Sequence, residues 1–418
     1  MDEEFELFVG FDWATERHQV CVLNAVGTVV RECNIEHNAE ALHKLIDWIA
    51  ERTGGRTALA AVAIETPHGV VVETLLERGI VVYSINPKQL DRFRDRFTAS
   101  GAKDDRRDAR VLGDSLRTDR RAFRRVVLSS GEMVELRELS RLHGELSVQF
   151  VQLTNRLRDQ LQRYFPQLLA VGETDERWLW ELWELAPNPH AAANLKPAQI
   201  GKILRRYRIR RHSAHSALDK LKLPAFSVAP GVIEAACRHI EVLLPQLRLL
   251  TEQLRGCDDD LHALLERCKA DREHPSEGGR RREHSDAEIL LSLPGVGDLV
   301  GATMLAEAGQ PLSERDLNSL RQLCGSAPIT KRSGKSVHVI RRYACNQRLQ
   351  NACHHWGQSA LRWDARSAAH YARLRAAGRT HGRALRGIID RWLSVLVAML
   401  RDGTLYDPAR RNITRTAA

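Results

Sequence analysis

Three apolar runs, Phe5–Phe11, His18–Asn24 and Thr28–Ile35, follow one another with only a few residues between them. Such gaps leave no room for a crossover helix, so the runs are expected to pair as antiparallel strands. The pattern then changes. A helix is predicted over Ala39–Ile49, a strand over Leu59–Ile64, a helix from Pro67, a strand over Ile80–Ile85 and a helix from Pro87. Those spacings admit a helix between strands and make the fourth strand a central parallel one.

Three antiparallel strands followed by alternating helix and strand is the order of a ribonuclease H-like fold. Beyond it the chain reads as mostly α. From the candidate N-cap Ser130, the residues Leu136, Leu139, Leu142, Leu146, Phe150, Leu153, Leu157, Leu161 and Tyr164 recur at three- and four-residue steps. A stripe that long predicts a coiled-coil arm, with the leucine-rich run Ile233–Leu265, kinked at Pro245, as its partner. Between them lies an irregular segment with Trp178, Trp180 and Trp183, expected to pack a small helical insert rather than stack on bases. Arg272–His284 has linker composition. After it, Asp286–Ser292, Leu293-Pro294-Gly295-Val296-Gly297 and Asp298–Ala308 read as a helix-hairpin-helix, a motif that offers backbone N–H groups to phosphate. The remainder to Arg410 reads as helical. The expected organisation is therefore α/β plus mostly-α. Residues 1–120 form the ribonuclease H-like domain, 121–284 a helical, coiled-coil middle, and 285–418 a helical C-terminal domain.

The 418 residues carry a formal net charge of +10, and 53 of the 63 basic side chains are arginine. Arginine forks grip phosphate bidentately, so a polyanionic partner is indicated, although a GC-rich genome gives the same bias. No apolar run approaches the ~20 residues that span a bilayer, and the first residues are acidic where a leader is basic. The eight cysteines are scattered with no CxxC pair, which points to buried thiols in a reducing cytoplasm rather than to a disulfide frame or zinc ribbon.

The informative acidic residues sit at strand ends. Asp12 closes the first strand and Glu65 the fourth, while Asp105 and Asp108 lie three apart on one face of a predicted helix. Four carboxylates so placed can converge on Mg²⁺, one ion or two, with Mn²⁺ as a substitute, for phosphodiester chemistry. Each also has a structural alternative as a turn, cap or salt-bridge residue among Arg106, Arg107 and Arg110. Asp104 competes with Asp105, since it shares the helical face of Asp108.

Asp12 in VGFDWATERHQVCVLN, Glu65 in AVAIETPHG and the segment KDDRRDAR from Lys103 resemble the DEDD domain of a family of bacterial insertion-sequence transposases. These are the recombinases called bridge-RNA-guided, related to pilin-gene invertases. LPGVG at 293–297, LCGSAPITKRSGKS from Leu323 and RRYACNQRL from Arg341 resemble its C-terminal half. The resemblance covers roughly residues 1–120 and 285–400. It implies that residues 1–120 are a RuvC-like catalytic domain with a metal site on Asp12, Glu65, Asp105 and Asp108, and that the C-terminal domain carries a nucleophilic serine after a Gly-x-x-Pro turn. Here that serine is Ser333, with Ser326 and Ser336 as fallbacks. Nucleic-acid contacts fall to Lys103, Gly295, Gly297, Lys331, Arg332, Lys335, Arg341 and Arg342. The implied reaction is Mg²⁺-dependent cleavage and exchange of donor and target double-stranded DNA through a covalent phosphoserine, by a dimer or tetramer guided by a structured RNA encoded beside the gene. A cytoplasmic, nucleoid-associated protein with no membrane contact is expected. Two other readings use the same residues: a RuvC-like hydrolytic nuclease or junction resolvase, and a non-enzymatic nucleic-acid-binding scaffold.

Overall fold

A computed structural model describes residues 4–85, 87–97, 104–127, 130–270, 284–334 and 336–410. Two compact units divide at Ser130 and Gly131.

In the first unit β1 (Leu7–Asp12), β2 (Arg17–Asn24) and β3 (Val29–Glu36) form the expected antiparallel set. The chain continues through α1 (Ala39–Arg52), β4 (Ala60–Ile64), α2 (Val70–Glu77), β5 (Val81–Ser84), α3 (Pro87–Phe97), α4 (Asp105–Thr118) and the two-residue β6 (Arg124–Arg125). The sheet order is β3-β2-β1-β4-β5-β6, with β1, β4 and β5 parallel. Being central, β1 and β4 are apolar on both faces, as strands covered on both sides must be. Leu7, Val9 and Phe11 meet Leu45, Ile46 and Ile49 of α1 on one face. On the other, Phe8, Leu23 and Ala61 meet Ala109, Leu112 and Leu116 of α4. Asn38 caps α1, its side chain accepting from Ala41 N at 2.8 Å. The helix expected from Pro67 begins later, at Val70, because Gly69 with φ +100° makes the entry turn.

The second unit contains two long helices, α5 (Gly131–Tyr164) and α11 (Val232–Ala270). Between them come α6 (Pro166–Leu169), α7 (Arg177–Leu185), α8 (Pro189–Ala193), α9 (Pro197–Arg206) and α10 (Ala214–Leu221). The long pair runs antiparallel: Arg267 meets Glu135 at one end, and Arg156 meets His239 nearer the other. α11 continues as a helix through Pro245. The segment read as irregular is helical, and its tryptophans are core. Trp180 Nε1 donates to the Thr174 carbonyl at 2.7 Å, and Trp183 Nε1 to Tyr164 OH at 2.8 Å. Burying three indoles against Tyr164, Phe165 and Leu243 gives one end of the pair its own core.

The other end packs against α12 (Asp286–Leu291), α13 (Asp298–Ser313), α14 (Leu317–Leu323), α15 (Gln347–Trp363), α16 (Ala365–Ala376) and α17 (His381–Asp402). The region beyond Ala308 is not wholly helical. β7 (Ile329–Ser333) and β8 (Ser336–Ile340) form an antiparallel hairpin. Its strands are five residues each and almost wholly exposed, so no buried apolar alternation marks them in the sequence. The signal was Gly334, whose φ of +56° serves a tight turn. The expected linker lies outside the described residues except for His284.

Candidate nucleic-acid site

Asp12 ends β1 and Glu65 follows β4. Since Phe11 pairs with Ile64 in the parallel register, the two carboxylates leave the same edge of neighbouring strands. α4 is brought onto that edge by two glycines. A Cβ on Gly10 would stand 1.7 Å from the Ala109 carbonyl oxygen, and one on Gly113 would stand 2.9 Å from Gly10 N. Only bare backbone permits this crossing, and it carries Asp108, next in sequence to Ala109, to the end of β1.

Asp104 is the N-cap of α4, accepting from Arg106 N at 3.2 Å, so it has a structural task that Asp105 does not share. Asp105 is exposed in the first turn, whereas the Asp108 side chain is 3% exposed. The neighbouring arginines do not neutralise Asp108; Arg106 instead reaches Glu32 on β3, with Nε at 2.8 Å. Its partner is Arg94 of α3, which sequence reasoning missed. Arg94 Nε donates to one carboxylate oxygen at 2.7 Å and Nη2 to the other at 2.8 Å, while Nη1 meets Asp91. Partial burial works against the Arg94 charge. Hydrogen bonding to Asp108, with the charges of Asp108, Asp91 and Glu65, outweighs it and raises the pKa. Nothing in the local sequence sets Arg94 apart from Arg92 on the same helix.

Hard carboxylate oxygens are the ligands Mg²⁺ prefers, and the Arg94 guanidinium is a stand-in cation among them. The set therefore suits the ion in kind. Among the described residues, however, no three His, Cys, Asp or Glu side chains are gathered closely enough to hold a metal.

Beside Asp12, the loop is fixed by histidines. Ala14 N donates to His18 Nδ1 at 3.1 Å, which leaves the proton on Nε2 to face His37 Nδ1 at 2.9 Å. Burial, with His37 adjacent, pushes the His18 pKa down to about 4. Trp13 is exposed next to Asp12.

In the second unit Ser333 ends β7 and pairs with Ser336, Lys331 pairs with His338, and Arg332 with Val337. With a two-residue side-chain period, Lys331, Ser333, Ser336 and His338 share one face. Ser336 Oγ and His338 Nε2 are 2.8 Å apart. All four are exposed. Arg341 bonds Gln350 Oε1 at 2.9 Å and lies over the Tyr343 ring, and Arg342 Nε reaches the Ala327 carbonyl at 3.4 Å. Ser326 is instead built into a structural turn near Asp390 and Arg321. Gly295 has φ +80°, and a Cβ there would meet Ala360 N of α15 at 2.7 Å, so this glycine serves helix packing. Gly297 begins α13 with open space where a Cβ would be. Lys103 and Lys335 lie outside the described residues.

Comparison with known proteins settles the family. The DEDD transposase model of the IS110 group matches residues 9–166, and a second model, described as transposase IS116/IS110/IS902 family, matches residues 287–372. The "Mini-circle putative transposase for IS117" of Streptomyces coelicolor is 32% identical over 418 residues, covering 98% of this chain and 97% of that protein. The chain belongs to the IS116/IS110/IS902 family of transposases. "Putative transposase y4uE" of Sinorhizobium fredii is 46% identical over 216 residues, so the chain spans 60% of that relative. The IS116 protein of Streptomyces clavuligerus is 28% identical over 98% of each chain. No helix among the described residues is long and apolar enough to cross a membrane.

Proposed function

We propose that this transposase cleaves and exchanges double-stranded DNA through a composite site, formed by the carboxylates of a RuvC-like domain on one subunit and Ser333 of a neighbouring subunit. The observation that carries the reading is the serine at the tip of an exposed hairpin with Lys331 and Arg332 leading to it. A nucleophile so presented reaches into a bound backbone, and the basic side chains offset charge on the transition state. The Ser333 Oγ–phosphorus bond forms as a phosphorus–oxygen bond of the strand breaks. The hydroxyl proton is lost to solvent, and the departing strand oxygen takes one up. The number of phosphoester bonds is unchanged, so the strand can be rejoined without ATP. Asp12, Glu65, Asp105 and Asp108 would hold Mg²⁺, which supplies orientation and charge neutralisation at the scissile phosphate.

Leu142, Val148, Val151, Val242 and Leu249 are exposed along the long helix pair, consistent with assembly into a dimer and, at synapsis, a tetramer. The arginine excess suits a protein that grips backbone, including the A-form shape of an element-encoded guide RNA, and leaves sequence choice to pairing. The helix-hairpin-helix formed by α12 and α13 would add backbone N–H contacts to phosphate from Gly297 onward. Ser336, facing His338, is the second candidate nucleophile.

The test is a denaturant-resistant protein–DNA adduct formed on element-end DNA with Mg²⁺ and the co-purified RNA. Wild type and Ser336→Ala should form it, and Ser333→Ala should not. Adduct formation by Ser333→Ala, or strand scission by it with no adduct in wild type, would overturn the serine mechanism.

A further inference from the structure

A buried carboxylate is costly unless it is protonated, well hydrogen-bonded, or met by an organic cation or a metal ion. Asp108 is met by an organic cation here, with both of its oxygens engaged by the planar fork of Arg94. This geometry is among the strongest hydrogen-bonded pairings available to protein groups. Asp91 meets the same guanidinium, and the Glu65 charge acts on it too. The fork thus holds Asp108 and Asp91 and feels the charge of Glu65, which follows β4, so it stands where a cation would meet these carboxylates. Arg94 is also 28% exposed, against 3% for Asp108. If it is released, its charge has water to move into, whereas Asp108 has none.

We propose that Arg94 and a divalent cation compete for Asp108, so that cation binding and release of Arg94 are one coupled event. This rests on reading the carboxylates as a cation site. In the metal-free protein Arg94 keeps α3 clamped to α4, and loading the site opens that clamp.

The experiment is calorimetric titration of the full-length protein with Mn²⁺ without nucleic acid, together with melting curves in chelator and in Mn²⁺. Arg94→Gln should bind Mn²⁺ more tightly on the order of tenfold, the size of a lost charge-assisted competitor. In chelator it should melt below wild type, and Mn²⁺ should raise its melting temperature more than that of wild type. Arg94→Lys, which keeps the charge but not the fork, should fall between them and serves if the Gln variant does not fold. Equal or weaker Mn²⁺ binding by Arg94→Gln, with binding abolished by Asp12→Asn, would leave the carboxylate site standing and overturn the competition. Mn²⁺ binding unaltered by Asp12→Asn, or absent from wild type, would overturn both.

Discussion

Gly10→Ala tests whether the crossing of α4 over β1 places Asp108. The added Cβ would lie 1.7 Å from the Ala109 carbonyl oxygen and 2.6 Å from Gly113 N, both backbone atoms of a helix that packs along the sheet. No side chain can rotate away. Reaching ordinary contact requires α4 to retreat by roughly 1.5 Å or more, which loosens Ala109, Leu112 and Leu116 from Phe8 and Leu23. Overpacking a core by one methyl typically costs about 1–3 kcal/mol, and a clash of backbone against backbone belongs at or beyond the top of that range. For a unit of this size, about 3 kcal/mol corresponds to a loss of roughly 10 °C in melting temperature. The assay is thermal unfolding followed by circular dichroism, with Mn²⁺ binding measured on the folded fraction at low temperature. Unchanged melting and unchanged Mn²⁺ affinity in Gly10→Ala would refute the claim that this glycine sets the position of Asp108.

Two further outcomes follow from particular residues. His18 is expected to make stability depend on pH. Its imidazole titrates near 6.5 in the unfolded chain and near 4 when folded, so the unfolded chain binds the proton first. The stability contribution is therefore complete above about pH 6.5, declines as pH falls and levels off below about 4. Urea melts at pH 7.5 and 5 should show a larger drop for wild type than for His18→Gln; equal drops would remove His18 as the cause. Gly256→Ala, on an exposed turn of α11 with nothing within 4 Å of the new Cβ, should stabilise the second unit by about 0.5–1 kcal/mol. A lower melting temperature would mean that the site is not open.

The two units differ in how much of them the sequence disclosed, and the difference is physical. Strand order in the first unit was legible because each central strand is a short apolar run bounded by turn residues, and the gaps between runs decide parallel or antiparallel return. The long pair was legible for a related reason: a stripe such as Leu136, Leu157 and Leu161 marks a single continuous helix face. Short exposed elements carry no such stripe. The hairpin bearing Ser333 buries almost nothing, so the pattern that reveals buried strands is missing, and only Gly334 marks its turn. For the tryptophans, the preference for core over base stacking holds, because their indole N–H groups find Thr174 and Tyr164 inside the insert.

Arg94 shows where sequence reading of a charged site stops. The structural alternative for Asp108 paired it with the arginines one or two positions away, but Arg106 is drawn to Glu32 on β3. Adjacent side chains on a helix point apart, so the nearest arginines in sequence are poor partners for a carboxylate aimed at the sheet. The partner comes from the preceding helix, at a distance along the chain that no local rule specifies. What selects it is burial: Asp108 faces inward because Gly10 and Gly113 let α4 settle onto β1, and an inward carboxylate requires a cation from whichever element passes its mouth. The glycines, not the run of charges, determine which arginine meets which aspartate. A glycine substitution at Gly10 and a charge substitution at Arg94 should therefore both alter Mn²⁺ affinity, in opposite directions: the first by displacing a ligand, the second by removing its competitor.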